Sequence, residues 1–159
     1  KPPEVPHFKT SRRVAVPPDV AFAVAADVAS YKEFLPLLER SVIRGAIAEQ
    51  NGITSFSAEL AVGYAKLNMR EAFISRVACD SVAKTVTATS QDAPFKDMKT
   101  VWTIRPNNGQ SDVEISIEYA MRSLLLQFAV IGAMDMAVNK VLAAFEARAL
   151  ALHKASMTS

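Results

Sequence analysis

The sequence predicts an α+β domain: a curved antiparallel sheet of about seven strands around one long C-terminal helix, with two short helices after the first strand. Two patterns predict it. Between Glu39 and Met121, apolar and polar residues alternate with period two, as in strands with one dry and one wet face. After Ser123 the period returns to 3.6 and holds to about His153, as in an amphipathic helix. No repeat, low-complexity tract or linker interrupts the chain, so residues 1–159 read as one domain with its core over about 8–154.

The elements follow in order. The first six residues, three of them proline, form a loose lead-in, and His7 to Val16 reads as an edge strand. Pro17-Pro18 ends it, because proline cannot donate to a ladder. Asp19 is placed to cap a helix through Ala25, and Asp27 opens a second short helix that Pro36 limits. In the sheet, Thr54, Phe56, Ala58, Leu60 and Val62 share one parity, as do Val82, Val86 and Ala88, and Val113, Ile115, Ile117, Tyr119 and Met121. Asn51-Gly52 marks a tight hairpin, and Cys79-Asp80-Ser81 and Asn107-Asn108-Gly109 mark further turns. Ser123 can cap the last helix, whose stripe Ile131, Met134, Val138, Val141, Leu142, Phe145 and Leu152 would lie on the sheet. A strongly curved sheet need not meet that helix everywhere, and a gap between them would be an apolar pocket.

Composition narrows the function. With 18 Lys+Arg against 16 Asp+Glu, scattered along the chain, nothing points to DNA. The single Cys79 forms no intrachain disulfide and reads as a small buried hydrophobe, which suits a reducing, cytoplasmic setting. The N-terminal segment lacks the apolar stretch of a secretory signal. The run Leu124 to Val138, broken by Gln127, Gly132 and Asp135, is shorter than the ~20 residues of a spanning helix. Peripheral contact with a membrane stays open.

Chemistry finds few candidates. His7 and His153 lie at opposite ends of the chain outside any metal-ligand spacing and read as surface residues. There is no GxSxG, GxGxxG or GxxxxGK[ST], so neither a nucleophilic triad nor a nucleotide cofactor is supported. Glu71 shares its parity with Leu67, Met69, Phe73 and Val77; facing inward it would be an acid or base, and facing outward a partner for Arg70 or Arg76.

The segment Ala25 to Gly45 carries a resemblance. Asp27, Tyr31, Phe34, Leu35 and Pro36, spaced D-x3-Y-x2-F-L-P, resemble the start of the coenzyme Q-binding START-like family, grouped with the polyketide cyclase/dehydrase-like proteins. Arg12-Arg13-Val14, Phe73 to Val77, Trp102-Thr103-Ile104-x-Pro106, Glu118-Tyr119-x-x-Arg122-Ser123-Leu124 and Phe145-Glu146-x-Arg148-Ala149 agree in order. One departure is Leu38, where many bacterial relatives carry a cysteine after this Phe-Leu-Pro-Leu run; any role of that cysteine is absent here.

The resemblance implies a helix-grip fold with a hydrophobic tunnel, and non-catalytic binding of ubiquinone or a related isoprenoid in support of respiration. The chain would then be cytoplasmic and peripheral to the inner membrane. Tyr31, Phe34, Leu35, Phe56, Leu60, Phe73, Trp102, Ile115, Ile117, Tyr119, Phe128, Ile131, Met134, Val138 and Leu142 would line the tunnel or its mouth. The loop Tyr31–Pro36, with Leu124, Leu125, Leu126 and Phe128, would dip into a bilayer interface. Two alternatives stand beside this. The family's bacterial members described as ribosome-association toxins imply a basic patch built from Arg12, Arg13, Arg44, Arg70, Arg76, Lys66 or Lys84. A cyclase or dehydratase would need a polar group deep in the pocket, for which Glu71 is the candidate.

Overall fold

The computed structural model describes residues 6–158, so the first five residues of the proline-rich lead-in lie outside the described residues. Strand β1 (His7–Val14) leads into helix α1 (Pro18–Ala26) and a 3₁₀ turn (Val28–Glu33). Six further strands follow: β2 (Leu38–Gln50), β3 (Ile53–Tyr64), β4 (Met69–Asp80), β5 (Thr85–Ser90), β6 (Phe95–Asn107) and β7 (Gln110–Met121). Helix α2 (Leu124–Thr158) ends the fold. The strands form one antiparallel sheet ordered β1-β7-β6-β5-β4-β3-β2, so β2 to β7 are a meander and β1 closes onto β7.

The turns have local causes. Asn51 and Gly52 both adopt positive φ, as do Asn108 and Gly109, which is the backbone of a two-residue type I′ hairpin. The β4–β5 turn sits later than the sequence pattern suggests. Strand β4 continues through Asp80, whose Oδ1 accepts from the backbone N–H of Val82 and Ala83, both at 3.0 Å. Val82 is therefore a turn tip, 83% exposed, and not a strand residue. Asp19 lies in the first turn of α1 and pairs with Lys84 at 2.9 Å, while Pro17 occupies the cap position. Proline at the first helical position makes this work, since its missing N–H has no helical partner to lose.

Register irregularities in β2, between Arg44 and Ala48, and in β6, between Phe95 and Asp97, bend the sheet. Its concave face carries the parity set read from the sequence, with Ala58, Val77, Val86, Trp102, Val113 and Ile115 in the core. Helix α2 lies across that face, started by Ser123, whose Oγ accepts from Leu126 N–H at 3.2 Å.

The helix is fastened at one half only. Its buried residues are Val138, Leu142, Phe145 and Ala149. Phe145 stacks on Trp102 with centroids 4.9 Å apart. Glu146 pairs with Arg12 at 3.1 Å, and Arg148 pairs with Glu33 at 3.3 Å while lying over the Phe34 ring. Leu124 to Ala137 contains no fully buried residue. The whole of α2 is long and apolar enough to span a bilayer by length and composition, although Leu124 to Val138 alone is not. Its second half nonetheless belongs to the core of this fold.

Candidate functional site

Where the first half of α2 stands off the concave strands, the two layers enclose a chamber of about 300 Å³. From the sheet its wall takes Leu60 and Val62 of β3, Met69, Phe73, Ser75 and Val77 of β4, and Val86 and Ala88 of β5. Strand β6 adds Met98, Thr100 and Trp102, and β7 adds Ile117, Tyr119 and Met121. The helix contributes Val130, Ala133, Met134, Ala137, Val138 and Val141. Val28, Tyr31 and Leu37 close one side, and Tyr64, Leu67, Pro94 and Phe95 frame another. No Asp, Glu, Lys, Arg or His contributes to this lining.

The polar atoms of the wall are hydroxyls. Tyr31 donates to the backbone C=O of Ala25, and burial drives its ionisation far above the ordinary tyrosine range. Burial also raises the Tyr119 phenol. Thr100 donates to the sulfur of Met98 at 3.2 Å. Cys79, one rung beyond Val77 on the same face, is buried in the core, where burial pushes its thiol up to about 11.

Tyr31, Leu60, Phe73, Trp102, Ile117, Tyr119, Met134 and Val138 line the chamber. The other expected residues do not, each for a physical reason. Ile115 and Leu142 are fully buried where sheet and helix touch, so they are core. Phe34 packs edge-on against Tyr31 at 6.0 Å and beneath Arg148, where it fastens α2. Leu35 packs half-buried against the same core. Phe56 borders a separate hollow of about 400 Å³ at the β2 bulge, among Ser55, Ser57, Arg76, Thr87 and Thr89. Phe128 and Ile131 are 71% and 48% exposed and lie outside the lining, Phe128 in the exposed first turns of α2. Leu152, counted in the helix stripe, is likewise exposed.

Glu71 holds the inward parity opposite Val62, but it is half-buried and outside the chamber lining. Of the cations that would form a basic patch, Arg12, Arg13, Arg44, Arg70 and Lys84 are taken up in ion pairs. They are spread from β1 at one sheet edge to β2 at the other.

Some lining residues escape the sequence pattern. Leu37 takes the place expected of Leu35, because its left-handed backbone (φ 72°) turns its side chain the other way. The bond from Gly63 N–H to Leu37 C=O, at 2.8 Å, holds that conformation. Val62, Met69 and Met121 are also missing from the expected lining, although each shares parity with an expected neighbour, so the alternation itself points to them.

The match to known proteins follows this architecture. Residues 14–146 match the family described as polyketide cyclase / dehydrase and lipid transport. The chain belongs to that family. Within the polyketide cyclase/dehydrase and lipid transport family, it is 30% identical over 122 residues to the "Coenzyme Q-binding protein coq10, mitochondrial" of Schizosaccharomyces pombe, covering 74% of this chain and 71% of the yeast protein. An 18 kDa protein of Caulobacter crescentus, solved in solution, is 29% identical, with a TM-score of 0.79 over 94% of this chain and 99% of that one. An aromatase/cyclase from Streptomyces sp. R1128 superposes equally well, TM-score 0.79 over 92% and 94% of the two chains, at 17% identity; this shows a shared fold. The same helix-grip architecture, a curved seven-stranded antiparallel sheet around a long C-terminal helix, recurs in a START superfamily protein of Mycobacterium smegmatis, TM-score 0.71 at 15% identity over 92% and 98% of the two chains.

Proposed function

We propose that this chain holds a neutral, hydrophobic isoprenoid quinone of the ubiquinone type in the chamber, without transforming it, in support of respiratory electron transport. The observation that carries the reading is the chamber itself: an apolar hollow, free of ionisable carboxylates, amines and imidazoles, between a fastened helix and a curved sheet. Removing hydrocarbon from water is worth about 25 cal/mol per Å², so such a hollow needs little polar help to bind an isoprenoid. The name of the yeast relative, a coenzyme Q-binding protein, supports the choice of ligand. At about 300 Å³ the chamber lies at the small end of ligand pockets, so a quinone ring and the start of its tail fit inside while the rest of a long tail passes out.

The tail would leave beside the start of α2, where Leu124, Leu125 and Phe128 stand exposed next to lining residues Phe95, Met121 and Val130. Lys66 and Lys96, each adjacent in sequence to a lining residue, are exposed near this end. Apolar side chains rimmed by cations suit the interface of an anionic bilayer, which supports a position at a membrane surface. The test is to purify the protein from cells, extract its lipids and titrate the emptied protein with decylubiquinone. Co-purified quinone and saturable quenching of Trp102 are expected; an extract without quinone, together with no uptake in solution, would overturn the reading.

A further inference from the structure

Within this oily chamber one fully buried side-chain polar atom has no partner in the protein. Ser75 is among the residues around the chamber, and its Oγ is fully buried and finds no hydrogen-bond partner among the protein's groups. Two other buried side-chain polar atoms among the described residues share that condition, Gln127 Nε2 and His153 Nδ1, and neither residue lines the chamber. A buried hydroxyl left unpaired is costly, and native interiors rarely keep one without a reason.

Its surroundings explain why the protein itself does not satisfy it. Ser75 faces Ala58 across β3, and on its own strand it stands between Phe73 and Val77 on the inward face. One rung on, β5 presents Ser90, whose hydroxyl already donates to Ile74 C=O at 2.7 Å and accepts from Asp92 N–H at 3.2 Å. Beyond Ser90 the rung continues through Met98 to Tyr119. Ser75 is thus an unused donor and acceptor set in hydrocarbon walls.

We propose that Ser75 Oγ is the polar anchor of the chamber, hydrogen-bonding an oxygen on the head of a neutral hydrophobic ligand and fixing which end enters. The inference rests on the quinone-holding reading and adds the residue that orients the ligand. A serine hydroxyl both donates and accepts, so it suits a quinone carbonyl and equally the hydroxyl of the reduced ring. With no charged side chain in the lining, a carboxylate or phosphate head would be buried uncompensated, which restricts the ligand to neutral heads.

The experiment compares the wild-type chain with Ser75→Ala against two ligands sharing one tail, decylubiquinone and oxygen-free decylbenzene, titrated by calorimetry in the same detergent-buffered solution. Ser75→Ala is expected to weaken decylubiquinone by about three- to tenfold, the range of one neutral hydrogen bond, and to leave decylbenzene unchanged. Without ligand, the variant is expected to melt no lower than wild type, since it removes an unsatisfied group. Equal affinity of both proteins for decylubiquinone would overturn the anchor while the chamber reading stands. A lower melting temperature for the empty variant would also overturn it, by showing that the hydroxyl has a partner in the free protein. Failure of the wild type to bind either molecule would remove the chamber reading, and the anchor with it.

Discussion

A pair of truncations on α2 tests whether the helix is clamped at one half and lifted at the other. Phe145 is fully buried and stacked on Trp102, so Phe145→Ala removes a ring packed on every side. Such a change costs about 3–5 kcal/mol, the transfer term plus the cavity left behind. In a chain of 159 residues that is a fall in Tm of about 6–20 °C. Met134 sits three turns earlier, half-buried, on the chamber wall. A buried methionine truncated to alanine ordinarily costs about 2–5 kcal/mol. Here part of its surface already faces a hollow and has no contacts to lose, so Met134→Ala is expected to cost about 1 kcal/mol or less, at most about 4 °C. Thermal melts by far-UV circular dichroism, on empty protein, measure both. Comparable losses would mean that the helix meets the sheet flush along its length, and the reasoning from the chamber would fail.

Val138 lies at the junction of chamber and core, and Val138→Trp is expected to fill the space, abolishing quenching of Trp102 by decylubiquinone while preserving the far-UV spectrum. Replacing Leu124 and Leu125, 77% and 83% exposed, with aspartate is expected to cut co-sedimentation with anionic liposomes at least tenfold and to leave binding of detergent-dispersed decylubiquinone unchanged; undiminished sedimentation would remove the membrane contact. Cys79 should resist a thiol reagent in the native state at pH 8 and react fully in urea. Its folded pKa is raised from 9.0 to about 11, so the folded state keeps a proton that the unfolded state gives up: the contribution is complete below about pH 9 and lost as pH climbs to 11. Melting temperatures over that window should fall less steeply in Cys79→Ala than in wild type.

The sheet was legible because period two leaves no freedom: once Leu60 faces in, so must Val62 and Ala58, and one more residue reverses the face. The type I′ turns were equally plain from Asn51-Gly52 and Asn108-Gly109. The helix was harder. From Leu124 to Val138 it is apolar nearly all round, so composition gives it only a weak phase, and Ile131, placed on the sheet-facing stripe by period, is 48% exposed. Phase is fixed by the anchored half: stepping back from Phe145 and Leu142 by helical repeats reaches Val138, Met134 and Val130, the true inner stripe. Leu37 could not be found by pattern, because no periodicity announces a leucine in the left-handed region. Nor could Ser75, which in sequence is an ordinary strand serine; its isolation appears only when its neighbours across the sheet are known.

The chemistry of the wall weighs holding against turnover. An acid–base reaction needs a side chain that exchanges a proton near the working pH, poised within reach of the substrate. The wall offers hydroxyls, and burial moves the phenols of Tyr31 and Tyr119 away from that range. Glu71, the carboxylate that parity brings nearest, stays at the edge of the sheet face outside the lining. A group introduced into the wall would therefore meet no partner to share its charge: Thr100→Asp is expected to stay protonated at neutral pH, to lower stability as pH rises above that of an ordinary carboxylate, and to weaken decylubiquinone binding once ionised. Stability and binding measured from pH 5 to 9 decide it. A variant that ionises there at no cost would show that the chamber is open enough to water to support proton chemistry, and the case for a passive holder would lose its basis.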